Sequence, residues 1–136
     1  MIKSAKLAKE IAVTVVNKIG VLADISKIVA DRGVNITAVA GYSVDNNATI
    51  MLVPDDALRA VDALKKEGYT SIKEREVVVV VLENKPGALK VLTAKLAEND
   101  IDIKQVYGTT CSDGCPATIV LSTSNNDKAL VAFKKK

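Results

Sequence analysis

From Ile11 to Val16 the chain reads Ile-Ala-Val-Thr-Val-Val, a short apolar run that predicts a buried strand. At Gly20 the period changes. Leu22, Ile25 and Val29 recur at helical spacing, with Asp24, Lys27 and Asp31 turned outward, and Gly33 after Arg32 marks a helix stop. Residues 35–44 and 48–53 read as strands around the turn signal Asp45-Asn46-Asn47. Pro54-Asp55-Asp56 opens a second helix, since Asp suits both the exposed amides and the positive end of the helix dipole. Leu58, Val61 and Leu64 form its apolar stripe and Gly68 its end. A short strand over 70–74 completes the order βαββαβ.

The order then begins again. Val77–Glu83 predicts a strand, Gly87–Asn99 a helix with Leu89, Leu92 and Leu96 inward, 102–111 and 117–123 a hairpin, and 127–135 a closing helix. Asn17-Lys18-Ile19-Gly20-Val21-Leu22 returns sixty-seven residues later as Asn84-Lys85-Pro86-Gly87-Ala88-Leu89. Without gaps, residues 11–42 match 78–109 at Val13, Asn17, Lys18, Gly20, Leu22, Ala30, Ile36, Val39 and Gly41. Such a match signals a duplicated unit. With two copies only, a closed tandem pair is expected rather than a solenoid.

Each unit is expected to be α+β: an antiparallel sheet with two helices on one face, the ferredoxin-like arrangement, in tandem over 1–75 and 76–136. The second copy stops one strand short. Ser4 and Lys6 fall in register with Ser71 and Lys73, so residues 3–9 are expected at the edge the second unit leaves vacant. Bare sheet faces and edges are a liability in water. Pairing the sheets within the chain, and again with a second chain, would hide them, which leads us to expect a homodimer.

At 136 residues and 49% hydrophobic content the chain can bury a core of one or two small units. The net charge of +3 includes the terminal Lys134-Lys135-Lys136, and no basic stripe suggests nucleic acid. The longest aliphatic run, Val77–Leu82, falls far short of the roughly 20 residues that span a bilayer. With no signal-peptide pattern, a cytoplasmic protein is the expectation. Histidine is absent, which removes the commonest general base and metal ligand and lowers the expectation of catalysis. The few aromatics, Phe133, Tyr42, Tyr69 and Tyr107, leave little to stack on bases.

Asn-Lys-x-Gly-x-Leu after a strand, opening a helix that ends before Gly33-Val34-Asn35-Ile36 or Ile101-Asp102-Ile103, resembles the amino-acid-binding ACT domain. The resemblance covers nearly the whole chain as two copies. Asn84-Lys85-Pro86-Gly87-Ala88-Leu89 is close to the family's usual wording, whereas the first copy has Ile19 where Pro is common. The resemblance implies a stand-alone regulatory or sensor protein, not an enzyme. It would bind a small effector, most often a free amino acid, and act on a separate enzyme, transporter or gene regulator. No cofactor or metal is implied.

The residues suit that work. Backbone amides at a helix N-terminus form an anion site, and glycine lets a ligand approach the backbone. Gly20 and Gly87, followed by Val21-Leu22 and Ala88-Leu89, are placed to bind a carboxylate. Asn17 and Asn84 both donate and accept, and Ile19 and Pro86 shape the loops. The residues opening the next strands, Asn35-Ile36 and Asp102-Ile103, should lie close by across an interface between units. Asp102 favours an ammonium while Asn35 is neutral, so unequal sites are expected.

Simpler roles stand beside these. The glycines also serve as turn residues and the asparagines as backbone caps. Lys18 and Lys85 are read first as solvated, and Leu22, Leu89, Ile36 and Ile103 first as core. Gly41 and Gly108 are read as allowing a bulge or close strand packing. Cys111 and Cys115 are expected as free thiols, although a disulfide across the turn is sterically allowed; zinc would need ligands from a second subunit. A small ferredoxin-like enzyme and a purely structural or protein-interaction module remain the alternatives.

Overall fold

The computed structural model describes residues 1–110 and 114–135. Its elements run β1 (Ile2–Val16), α1 (Val21–Asp31), β2 (Ile36–Val44), β3 (Asn47–Pro54), α2 (Ala57–Lys66), β4 (Ile72–Leu82), α3 (Ala88–Glu98), β5 (Ile103–Thr109), β6 (Ala117–Thr123) and α4 (Asn126–Lys134). They divide into two compact units, one of Lys9–Arg75 and one of Met1–Ala8 with Glu76–Lys136.

In the first unit the strand order is β2-β3-β1-β4. β3 is antiparallel to both neighbours, with Leu52 opposite Ile11 on one side and Val39 on the other. Alternate residues face the helices, so Ile11, Val13, Ile50 and Leu52 pack with Ile25 and Val29 of α1 and Leu64 of α2. In the second unit the order is β1-β4-β6-β5, with Val78 opposite Leu121 and Val80 opposite Ile119. Its core joins these residues to Leu92, Leu96 and Phe133, with Ile2, Ala5 and Leu7 of β1 packed against them. Each unit is the ferredoxin-like α+β sheet-and-helix layer that the periodicity predicts.

Several details differ from the pattern. The strands expected over 70–74 and 77–83 are one strand, β4, because Glu74-Arg75-Glu76 contains neither Gly nor Pro to break it. Leu58 is 81% exposed, and α2 buries Ala60, Val61, Ala63 and Leu64 instead. A strict spacing of three runs ahead of the 3.6-residue turn, so the stripe rotates and its first member leaves the core. The repeat register also slips: Ile11 and Val78 are sixty-seven apart, but their partners Leu52 and Leu121 are two residues further apart than that.

On the face of β1 turned from the helices, Glu10 is fully buried, with Arg75 Nε 3.2 Å from its Oε1. Among the helix ends, α1 and α2 finish on Gly33 and Gly68, at φ 75° and 93°, and α3 on Asp100 at φ 57°. The same bond closes all three, the amide donating three residues back to Ala30, Lys65 and Ala97. Asp100→Gly is therefore expected to stabilise the protein by about 0.5–1 kcal/mol, since it relieves a left-handed side chain. A urea midpoint that fails to rise would contradict this.

Candidate ligand-binding loops

Two loops of the same construction join β1 to α1 and β4 to α3. Val21 N–H donates to the Lys18 carbonyl at 3.3 Å, and Ala88 N–H to that of Lys85 at 3.2 Å. The turn this makes needs a left-handed residue before the helix, and Gly20 (φ 95°) and Gly87 (φ 91°) supply it. Among the described residues no side chain caps either helix, so the first-turn amides of Leu22, Ala23, Leu89 and Lys90 form its open, partly positive end. A methyl group added at Gly20 would meet nothing within 4 Å, and one at Gly87 only Met1 Cε at 3.7 Å. The Gly20 elbow is therefore open at that point, and only the flexible end of Met1 approaches the Gly87 elbow.

Asn17, Lys18, Ile19, Asn84, Lys85 and Pro86 are all exposed. Val21 and Ala88 are buried, whereas Leu22 and Leu89 are 46% and 54% exposed. This corrects the expectation that the two leucines are core. The glycine elbow sets the helix phase so that residues 21, 25 and 29, and 88, 92 and 96, face inward. The next residue is turned about 100° away, beside the elbow. Lys85 Nζ lies 2.8 Å from Glu83 Oε2, and this bond holds the Glu83 carboxyl below its ordinary value.

Ile36 and Ile103 are half-buried against their cores. Asn35 and Asp102 are fixed through their backbones. Asn35 N–H donates to Asp55 Oδ1 at 3.0 Å and Asp55 N–H returns to the Asn35 carbonyl at 2.9 Å. Asp102 makes the matching pair with Ser124, both at 2.9 Å. Within a unit these residues do not meet the elbows. Val16 is opposite Asn47 but Ile36 is opposite Pro54, at the far end of the same sheet; Leu82 opposite Ala117 and Ile103 opposite Thr123 repeat this.

The elbows differ in charge. Asp24 sits in the first turn of α1, while α3 has no acidic residue there, so the second elbow is the better anion site. The first elbow borders a cleft of about 380 Å³, with Lys18, Val21 and Asp24 on one side and Glu67, Tyr69 and Ser71 on the other. It offers both signs of charge. Burial, reinforced by the Asp24 and Glu67 carboxylates, pushes the Tyr69 phenol above its ordinary value, so it stays a neutral hydroxyl. Asp24, Glu67 and Tyr69 escape a reading of local motifs, because only the fold brings the segment after α2 beside the first loop.

Among the described residues no cluster of three or more His, Cys, Asp or Glu is placed to hold a metal, and no helix is long and apolar enough to cross a membrane. Cys115 is disulfide-bonded, which corrects the expectation of a free thiol there; the general scarcity of disulfides in reducing compartments does not decide a single local geometry. Cys111, Ser112 and Asp113 lie outside the described residues.

Two βαββαβ units, each with a glycine elbow between first strand and first helix, define a tandem of small ferredoxin-like domains. Residues 11–68 match the family model described as AHAS small subunit-like ACT domain. No curated protein matches the chain. Among solved structures, protein BT0572 from Bacteroides thetaiotaomicron is similar at TM-score 0.86 and 25% identity, over 96% of this chain and 88% of that one. The ligand-free regulatory subunit of aspartate kinase from Thermus thermophilus shares the fold at TM-score 0.70 and 15% identity, over 97% and 95%. That from Thermus flavus does so at 0.58 and 15%, over 97% and 95%. The ACT-domain match lies in the first unit, and the second unit repeats the fold of the first.

Proposed function

We propose that this protein is a regulator without catalytic activity, which binds a free amino acid at its strand–helix elbows and passes that binding to a separate enzyme or regulatory partner. The observation that carries the reading is the pair of elbows without a side-chain cap, alike in hydrogen bonding and φ, with open space beside Gly20 and only the flexible end of Met1 beside Gly87. The effector's carboxylate sits on the first-turn amides, as anions do at helix N-termini. Asn17 or Asn84 flanks it. Asn35 and Asp102 sit at the other end of their own sheets, so in this reading they complete a site from a second copy of the chain, as a homodimer. Asp102 takes the ammonium. The regulatory subunit of aspartate kinase, which shares the fold, is itself a regulatory chain.

The effector shifts the balance between two packings by no more than its difference in affinity for them. A thermal-shift panel of the twenty amino acids tests this. One or a few are expected to stabilise the protein, by roughly 2.7 kcal/mol at about a hundred times the dissociation constant. Gly87→Val costs about 1–2 kcal/mol in the absence of ligand, because it puts a branched side chain at φ 91°, and also removes the ligand-dependent increment. A panel in which no amino acid shifts the melting temperature at millimolar concentration would overturn the reading.

A further inference from the structure

The second unit has a cleft of about 640 Å³ at the end of its helix layer, between the start of β1, the middle of α3 and the end of α4. Its floor is apolar, formed by Ile2, Val91 and Phe133. Its rim is basic: Lys3, Lys95, Lys134 and Lys135 line it, and among the described residues no Asp or Glu does. Lys95 is held there by structure. Lys95 Nζ donates to the Lys135 carbonyl at 2.7 Å, which fixes its position against the end of α4 and leaves its other two N–H groups for a ligand.

The other copy provides an internal comparison. The clefts at the same end of the first unit, beside α1 and the segment after α2, carry Asp24 and Glu67 among their lysines. Sixty-seven residues on, Asp24 becomes Val91 and Ile28 becomes Lys95. Within one fold, a carboxylate has given way to an apolar wall and an apolar position to an ammonium. Burial does not require that exchange, since Val91 and Lys95 are both half-exposed. It changes what the cleft attracts.

We propose that this cleft is a second ligand site, separate from the glycine elbows, for a small anionic molecule that joins a phosphate or paired carboxylate to an apolar body. The anionic group lies among Lys3, Lys95 and Lys134, whose clustered positive charge favours a multiply charged anion. The apolar body lies on Ile2, Val91 and Phe133. The volume is that of an ordinary small-molecule pocket. This inference does not depend on the amino-acid reading and survives its failure.

The test is calorimetric titration of the full chain with inorganic phosphate, citrate and adenosine monophosphate, near physiological ionic strength so that diffuse attraction is screened. At least one probe is expected to bind, citrate alone indicating a carboxylate ligand and a phosphate compound a phosphorylated one. Lys95→Ile, which restores the other copy's residue, is expected to weaken that binding about ten-fold. Lys134→Glu does the same from the opposite wall, should Lys95→Ile fold poorly. Lys104→Glu with Lys128→Glu, a larger charge change away from the cleft, leaves it unaltered. Absence of binding by all three probes below about 10 mM, or an equal loss in the distant double variant, would overturn the proposal.

Discussion

Arg75→Ala is expected to be among the most damaging single substitutions, lowering stability by about 3 kcal/mol. Glu10 is fully buried on the helix-free face of β1, and Arg75 Nε stands 3.2 Å from its Oε1. Removal of the cation takes the Arg75 charge away from a fully buried carboxylate, which is the costly way to break a buried pair. The Arg75 side chain is 37% exposed, so solvent screens part of the interaction and the lower end of the usual range applies. Replacement of both partners, as Glu10→Leu with Arg75→Leu, is expected to recover most of the loss, because no orphaned charge remains. Urea denaturation of the single and double variants decides the matter. A single variant within about 0.5 kcal/mol of the parent would show the pair to be energetically idle.

Gly108→Ala is the second, at about 2–3 kcal/mol. A Cβ built there lies 2.6 Å from the Thr118 carbonyl oxygen and 3.2 Å from the Ile119 Cα, so strand backbone has to move. Its counterpart in the other copy is a built-in control. At Gly41 the same methyl meets the Ile50 Cδ1 at 3.2 Å and backbone only at 3.5 Å, and a side-chain terminus yields easily. Gly41→Ala is expected to cost less than about 1 kcal/mol. Equal melting temperatures for the two variants would refute the difference in strand approach. Close packing at the two glycines thus differs in degree: side chain and backbone both crowd Gly108, whereas at Gly41 only a side-chain end is tight.

Much of the candidate site is legible from residue order because its chemistry is local. A glycine between a β-type run and a helical period has few backbone solutions, and both copies take the same left-handed one. The motif did not give the phase of the helix. Leu22 with Ile25 and Val29 is as regular on paper as Val21 with Ile25 and Val29, and the elbow decides between them. Leu58 fails for a related reason, since apolar character alone does not fix which side of a helix meets the sheet. The single strand β4 was hidden by charge: Glu74-Arg75-Glu76 looks like a linker until Arg75 is seen to serve the buried Glu10.

Repeat, helix positions, fold class and the two glycine elbows were set by the sequence alone, because periodicity and turn chemistry act over a few residues and leave their mark wherever the chain goes. Long-range pairing set the rest. Strand order placed Glu67 and Tyr69 beside Lys18 and Asp24, and it carried Asn35 and Asp102 to the far ends of their sheets from the elbows. It also gathered four lysines from β1, α3 and the end of α4 around one cleft. Those groupings depend on which surfaces bury the most apolar area together, and that is a property of the whole folded chain rather than of any segment in it.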